Sequence, residues 1–227
     1  MKYRKKVALT LPAVDEIHFW QFSLSEAAPR FEAFNRTLSD SELARAALYA
    51  TPLLAMRYVC GRGILRELLA CYLGLAANQV VFEFGPRGKP RVAGGRKFFF
   101  NVSHSEDRYV AVFSSVDELG VDIERTGRCL SPEDWKNQMF SPEEQAMLAN
   151  LPEGECSEEF LRLWTFKEAC AKALGEGVYA PLANFGFEHL PTGFGAIRVR
   201  CEGYTGALVA RGGGWRVRDF TSSALWP

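Results

Sequence analysis

Apolar positions recur along this chain at two periods, and the period separates strands from helices. In Glu16–Leu24, EIHFWQFSL, the side chains of His18, Trp20, Phe22 and Leu24 share one face at period two, which predicts a strand. Ser39-Asp-Ser-Glu42 has capping-box spacing ahead of LARAALYA and predicts a helix start. From Pro52 to Leu73 the pattern is helical; Gly61 and Gly63 weaken it, and Gly74 supplies a C-terminal stop. Gly85–Lys97, GPRGKPRVAGGRK, is basic and rich in Gly and Pro, as loops are. FFFNVSHSEDRYVAVFSS then predicts a hairpin with strands near 97–103 and 109–115.

The second half opens with a short strand, Leu119–Ile123. Ser131-Pro132 and Ser141-Pro142 each pair an N-cap residue with Pro at the first helical position. Ser157 is placed to cap a helix, EEFLRLWTFKEACAKAL, that stops at Gly175. Glu158 and Glu159 lie in its first turn and Lys172 in its last, as the helix dipole favours. Between 185 and 220 the short alternating segments FGFEHL, AIRVRC, GALVAR and GWRVRDF predict an antiparallel meander. Each half therefore mixes strands and helices, an α+β organisation divided as 1–117 and 118–227.

Composition narrows the function classes. The chain has 227 residues, 48% hydrophobic and 24% charged, which excludes a disordered, collagen-like or disulfide-dense protein. No apolar run approaches the ~18 residues of a membrane span. The N-terminal MKYRKKVALTLPAVDE lacks a signal peptide's long apolar core, so a cytoplasmic protein with no membrane partner is expected. The 27 basic and 27 acidic residues cancel and give no support for nucleic-acid binding. They are unevenly spread: 16 basic and 11 acidic residues in 1–117, against 11 and 16 in 118–227. That asymmetry suits a phosphorylated ligand on one side and a cation on the other, or it is chance. None of the six cysteines has zinc-site spacing and there are only three histidines, so a metal site would use oxygen ligands, as Mg²⁺ prefers.

Four segments could carry chemistry. In Gly120-Val-Asp122-Ile-Glu124 the two carboxylates share a strand face; they either run out into solvent or hold a cation. Trp164, Glu168 and Lys172 are spaced by four on one helix stripe, either as a surface ion pair or as groups needing a partner such as a metal. Asn101-Val-Ser103-His104-Ser105 is not a serine–histidine nucleophile, because strand neighbours point to opposite faces. It is a polar hairpin end or a phosphate contact. Gly85-Pro-Arg87-Gly88-Lys89-Pro90-Arg91 lacks P-loop spacing and is a solvated basic turn or a phosphate-facing one. Glu144 is explained by its capping box with Ser141.

In order along the chain, G-K-P, F-N-V-S-H-S, G-V-D-I-E, F-S-x-x-E and W-T-F-K-E-A-x-x-K resemble the motifs of Sfp-type 4′-phosphopantetheinyl transferases. Arg57-x-x-x-Gly61-Arg62-x-x-x-Arg66 is similar to that family's arginine helix, and the resemblance spans roughly residues 45–187. It implies a pseudo-dimer of two similar α+β halves with coenzyme A between them. The implied reaction is Mg²⁺-dependent transfer of 4′-phosphopantetheine from coenzyme A to a serine of an apo acyl or peptidyl carrier protein, releasing 3′,5′-ADP. By motif, Asp122, Glu124 and Glu168 resemble the Mg²⁺ ligands, Lys172 the lysine at the pyrophosphate, and Glu168 the base, acting directly or through a water. Lys89, Ser103, His104 and Arg57 resemble the contacts to adenosine and its 3′-phosphate, with Arg45 a further phosphate contact. Glu144 matches a family glutamate near the metal. Thr126–Phe140 is expected to be part of the carrier docking surface, and a fused pseudo-dimer is expected to be a monomer. A Mg²⁺-dependent pyrophosphate hydrolase and a non-catalytic coenzyme A or carrier-binding module are the alternatives. The intact Asp122, Glu124, Glu168 and Lys172 set argues against the latter.

Overall fold

The computed structural model describes residues 8–127, 139–177, 180, 182–187 and 189–226. The first elements are β1 (Glu16–Ser23), α1 (Leu24–Ala27), α2 (Phe31–Asn35), α3 (Asp40–Ala47) and α4 (Pro52–Leu73). A short ribbon, β2 (Phe82–Phe84) and β3 (Pro90–Val92), precedes the hairpin β4 (Phe99–Ser105) and β5 (Arg108–Ser114). Then come β6 (Leu119–Arg125), α5 (Pro142–Ala149), α6 (Glu153–Leu174), β7 (Phe194–Cys201), β8 (Tyr204–Arg211), β9 (Arg216–Thr221) and α7 (Ser222–Leu225). The mixture is α+β. Among the described residues no helix is long and apolar enough to cross a membrane.

Two sheets, ordered β4-β5-β1-β9 and β6-β8-β7, share one apolar core. Ile17 and Phe19 of β1 and Val110 and Val112 of β5 meet Val121 and Ile123 of β6 and Leu208 of β8 there. The opposite face of the first sheet, with Trp20, Phe22, Ala111 and Phe113, is covered by Ile64, Leu65 and Leu68 of α4. The outer face of the second sheet, with Ala207 and Val209, is covered by Phe166, Ala169 and Ala173 of α6. The period-two reading of β1 is therefore right in phase, and both of its faces are buried because each meets a different layer.

Local signals set the helix ends. Ser39 with Glu42, and Ser141 with Glu144, close complete capping boxes. Gly74 and Gly175 end α4 and α6 in the left-handed region, where the absence of a Cβ removes the steric penalty. Helix α4 is unbroken through Gly63, where a Cβ would lie 2.3 Å from that of Phe34, so the residue expected to weaken the helix seats α2 against it.

Several expectations need correction. Helix α6 starts four residues before Ser157, after Pro152 and without a side-chain cap. The extra turn is held by packing: Cys156 N–H donates to Pro152 O, and Cys156 and Leu151 pack with Phe160. The Gly85–Lys97 stretch contributes β3 to a ribbon with β2. FGFEHL is a turn closed by a Gly186–His189 bridge, and Phe187 stacks on Phe166 instead of extending. The meander contains only β7 and β8; GWRVRDF crosses back as β9 and pairs in parallel with β1. Ser131-Pro132 lies outside the described residues, as does most of Thr126–Phe140.

Candidate active site

The site forms where the edge strand β4 of the first sheet meets the edge strand β6 of the second. No backbone ladder joins these strands. Alternate β4 side chains take its place: Val121 N–H donates to Asn101 Oδ1 (3.0 Å), Ile123 N–H to Ser103 Oγ (3.3 Å) and Arg125 N–H to Ser105 Oγ (3.1 Å). Both strands repeat every second residue, so one offset of twenty satisfies all three. Each serine also donates its own proton to the carboxylate one residue earlier. Ser103 reaches Asp122 Oδ1 at 2.8 Å, and Ser105 reaches Glu124 Oε2 at 2.6 Å.

Helix α6 supplies the rest. Gly120 has no side chain to hold the helix off β6, so Lys172 reaches the same carboxylate. Its ammonium lies 2.6 Å from Asp122 Oδ1, 3.2 Å from Val121 O and 3.4 Å from Ser103 Oγ. Glu168, one turn earlier, is half-buried near Asp122 and Glu124. Burial pushes its carboxyl above the usual range, Lys172 opposes the shift, and the two neighbouring carboxylates add to it.

Asp122 is 6% exposed, and its second oxygen, Oδ2, is buried without a hydrogen-bond partner. A buried carboxylate oxygen without a donor is costly, and a cation is one way of satisfying it. With Glu168 and Glu124 nearby, the donors are hard oxygens that repel one another, which fits a divalent cation such as Mg²⁺. Among the described residues, however, no three acidic, His or Cys side chains are drawn together as a ligand cluster. Lys172 neutralises Asp122 instead.

Two adjoining hollows, which share Pro90 and Val102 in their walls, form a cleft beside this point. One is lined by Arg57, Tyr58, Arg62 and His104 together with Pro90 and Val102. The other is lined by Lys89, Asn101, Lys172 and Gly175, again with Pro90 and Val102, so it lies between the halves. His104 points to the cleft and Ser103 to β6, as alternation on a strand requires. Arg66 is directed elsewhere: it is buried on Glu42 and on the carbonyls of Ala77 and Val80.

The other sequence candidates have partners within the protein. Lys89 directs its ammonium to Glu118 Oε2 (2.6 Å), Leu119 O (3.0 Å) and Ala173 O (3.3 Å), so it ties the basic turn to the second half. Burial pushes its ammonium below the usual lysine range, partly offset by Glu118. Arg45 is exposed on α3 and lies over the Tyr58 ring at the rim of the first hollow. Glu144 caps α5 and pairs at 2.8 Å with Lys167, which is fully buried and also donates to Leu182 O and Phe185 O. Sequence reasoning gave Lys167 no role and overlooked Asn101 and Ser105 as strand-joining groups. The period-two spacing of Asn101, Ser103 and Ser105 was the available signal.

A family model for the 4′-phosphopantetheinyl transferase superfamily matches residues 118–218. The chain is 36% identical over 168 residues to the 4′-phosphopantetheinyl transferase HetI of Nostoc sp., covering 72% of this chain and 70% of that one. It is 32% identical over 133 residues to the transferase gsp of Aneurinibacillus migulanus, covering 58% and 53% of the two chains. With Sfp of Bacillus subtilis it shares 30% identity over 131 residues, 58% and 57% of the chains. It spans little more than half of the last two.

Proposed function

This chain belongs to the 4′-phosphopantetheinyl transferase superfamily, and from that premise we propose that it moves the 4′-phosphopantetheine group of coenzyme A onto a serine of an apo carrier protein. The observation that carries the reading is Lys172, paired with Asp122, in the wall of one hollow of the cleft, with Arg57 and His104 lining the far hollow. Cations at both ends of one cleft suit a ligand with a pyrophosphate at one end and a separate phosphate at the other.

In the proposed reaction the serine oxygen forms a bond to the phosphorus that bears pantetheine. The bond from that phosphorus to the bridging oxygen breaks, and 3′,5′-ADP departs with the electron pair. The serine proton passes to Glu168, directly or through a water. Lys172 stabilises the leaving pyrophosphate oxygen. Arg57 and His104 hold the 3′-phosphate and align the chain of the ligand along the cleft. Asp122, Glu124 and Glu168 would hold Mg²⁺, which when bound neutralises pyrophosphate charge. Strands of both halves share one core, which supports a monomer.

The test is incubation with coenzyme A, Mg²⁺ and an apo carrier protein, read by intact mass and nucleotide release. The carrier should gain ~340 Da, the weight of a phosphopantetheine group, in step with 3′,5′-ADP release. Without carrier, or with the carrier serine changed to alanine, release should be negligible. Rapid release under either condition would replace the transferase reading with a pyrophosphate hydrolase.

A further inference from the structure

Ser105 has a geometry that the reaction above does not use. Its hydroxyl accepts from Arg125 N–H at 3.1 Å and donates to Glu124 Oε2 at 2.6 Å, and the residue is 8% exposed. The same bridge occurs two residues earlier, where Ser103 spans Ile123 N–H and Asp122 Oδ1. A hydroxyl has one proton and two lone pairs, so accepting from the backbone directs the proton to the carboxylate. The two ends of the bridge are adjacent on β6, so the backbone bond sets where the side-chain bond falls.

Glu124 needs such a hold more than Asp122 does. It lies near the end of β6 and is partly exposed, and glutamate has one more rotatable bond than aspartate. Asp122 is held by Lys172 and Ser103 together; Ser105 holds Glu124. Across the interface, β4 therefore presents a ruler. Its backbone-directed bonds fix the register of β6, and its protons hold the Asp122 and Glu124 carboxylates.

We propose that Ser105 is a positioning residue that pre-orients the Glu124 carboxylate for a divalent cation, acting across the joint between the two sheets. This rests on reading Asp122, Glu124 and Glu168 as a cation site. Outer groups that orient metal ligands typically change metal affinity by about 10- to 100-fold when removed. A hydroxyl that merely filled space or closed the strand end would change stability without changing metal affinity.

The experiment uses the full chain with Ser105→Ala, Ser105→Cys and Ser105→Thr. Free Mn²⁺ measured by electron paramagnetic resonance, with coenzyme A present, reports metal binding without catalysis. Carrier modification across a Mg²⁺ titration reports the loaded enzyme, and melting temperature reports folding. Ser105→Ala should weaken Mn²⁺ binding and raise the half-saturating Mg²⁺ concentration about tenfold, with kcat recovering as Mg²⁺ saturates. Ser105→Cys, of similar shape but a poor donor, should move in the same direction, whereas Ser105→Thr should stay within about threefold of wild type. Wild-type Mn²⁺ affinity in a folded Ser105→Ala or Ser105→Cys protein overturns the proposal. So does loss of folding in both, which would make the hydroxyl a fold determinant. Failure of the transferase reading shows separately, as an unmodified carrier with wild-type protein and intact Mn²⁺ binding.

Discussion

Gly120 and Ala169 meet backbone to backbone: a Cβ on Gly120 would lie 2.2 Å from the Ala169 carbonyl oxygen and 2.4 Å from the Ala173 amide nitrogen. Such distances require one element to move, and neither atom belongs to a flexible side chain. Because α6 carries both Glu168 and Lys172, the glycine sets how closely those groups approach Asp122. Gly120→Ala should lower stability by about 1–3 kcal/mol, the usual range for overpacking. It should also reduce carrier modification by more than the folded fraction explains. Urea unfolding and activity on the same sample check both parts, and an unchanged midpoint with an unchanged rate would exclude this contact as the seat of the helix.

Two neighbours on α6 should respond in opposite ways. Lys167 is fully buried between Glu144, Leu182 O and Phe185 O. Removing one partner of a buried ion pair strands the other, so Lys167→Ala should lower stability by about 3–5 kcal/mol. Glu168→Gln should leave the urea midpoint near or above that of wild type and nearly abolish transfer, since it removes a candidate ligand and base. A stable Lys167→Ala protein, or an active Glu168→Gln protein, would show the two roles to be assigned wrongly.

A buried relay under β1 predicts acid sensitivity. Trp20 Nε1–H donates to the Tyr72 hydroxyl at 2.8 Å, and that hydroxyl lies 2.6 Å from His18 Nδ1. With Nδ1 accepting, Nε2–H is directed to Glu16 at 3.1 Å, which assigns the neutral tautomer. Burial pushes the His18 imidazole below its ordinary 6.5; Glu16 opposes the shift and Arg218 adds to it. The unfolded chain therefore takes up this proton first as pH falls. The contribution to stability is complete above the unfolded value and is lost as pH drops from there toward the folded one. Between about pH 7.5 and about pH 5.5, the urea midpoint of wild type should fall more steeply than that of His18→Gln. Parallel curves would refute the assignment.

The far hollow predicts ligand selectivity. Coenzyme A at a hundred times its dissociation constant should stabilise the protein by about 2.7 kcal/mol, seen as a rise in melting temperature. Dephospho-coenzyme A should give a smaller rise, because Arg57 and His104 lose the 3′-phosphate. Arg57→Ala should narrow the gap between the two ligands. Equal shifts in wild type would move the phosphate site elsewhere and leave the enzyme class intact.

Much of this was legible from residues close in sequence. The capping boxes at Ser39 and Ser141, and the left-handed stops at Gly74 and Gly175, depend on bonds within a few residues. The motifs likewise singled out Asp122, Glu168 and Lys172 as candidates, and the fold brings these three near one another. The start of α6 was misplaced because Ser157 is a good cap in isolation, while packing of Leu151 and Cys156 on Phe160 rewards one more turn. FGFEHL alternates like a strand, yet Phe187 gains more by stacking on Phe166.

By itself the sequence determined the family, the helix ends at Ser39, Gly74, Ser141 and Gly175, and the shared face of Asp122 and Glu124, because each follows from local geometry or from motif order. Tertiary structure alone decided which partner each polar group would find. Lys167 and Lys172 carry the same charge on the same helix; one is sealed against Glu144 and the other is left at the cleft. Ser103 and Ser105 became a ruler for β6 because β4 and β6 are both edge strands that meet without a ladder. Strand β9 returned to β1 instead of extending the meander, and Val217 and Trp215 cover the same inter-sheet core. The physical reason is common to all three. Local preference fixes the direction in which a side chain points, but its energy depends on what the rest of the chain brings within reach.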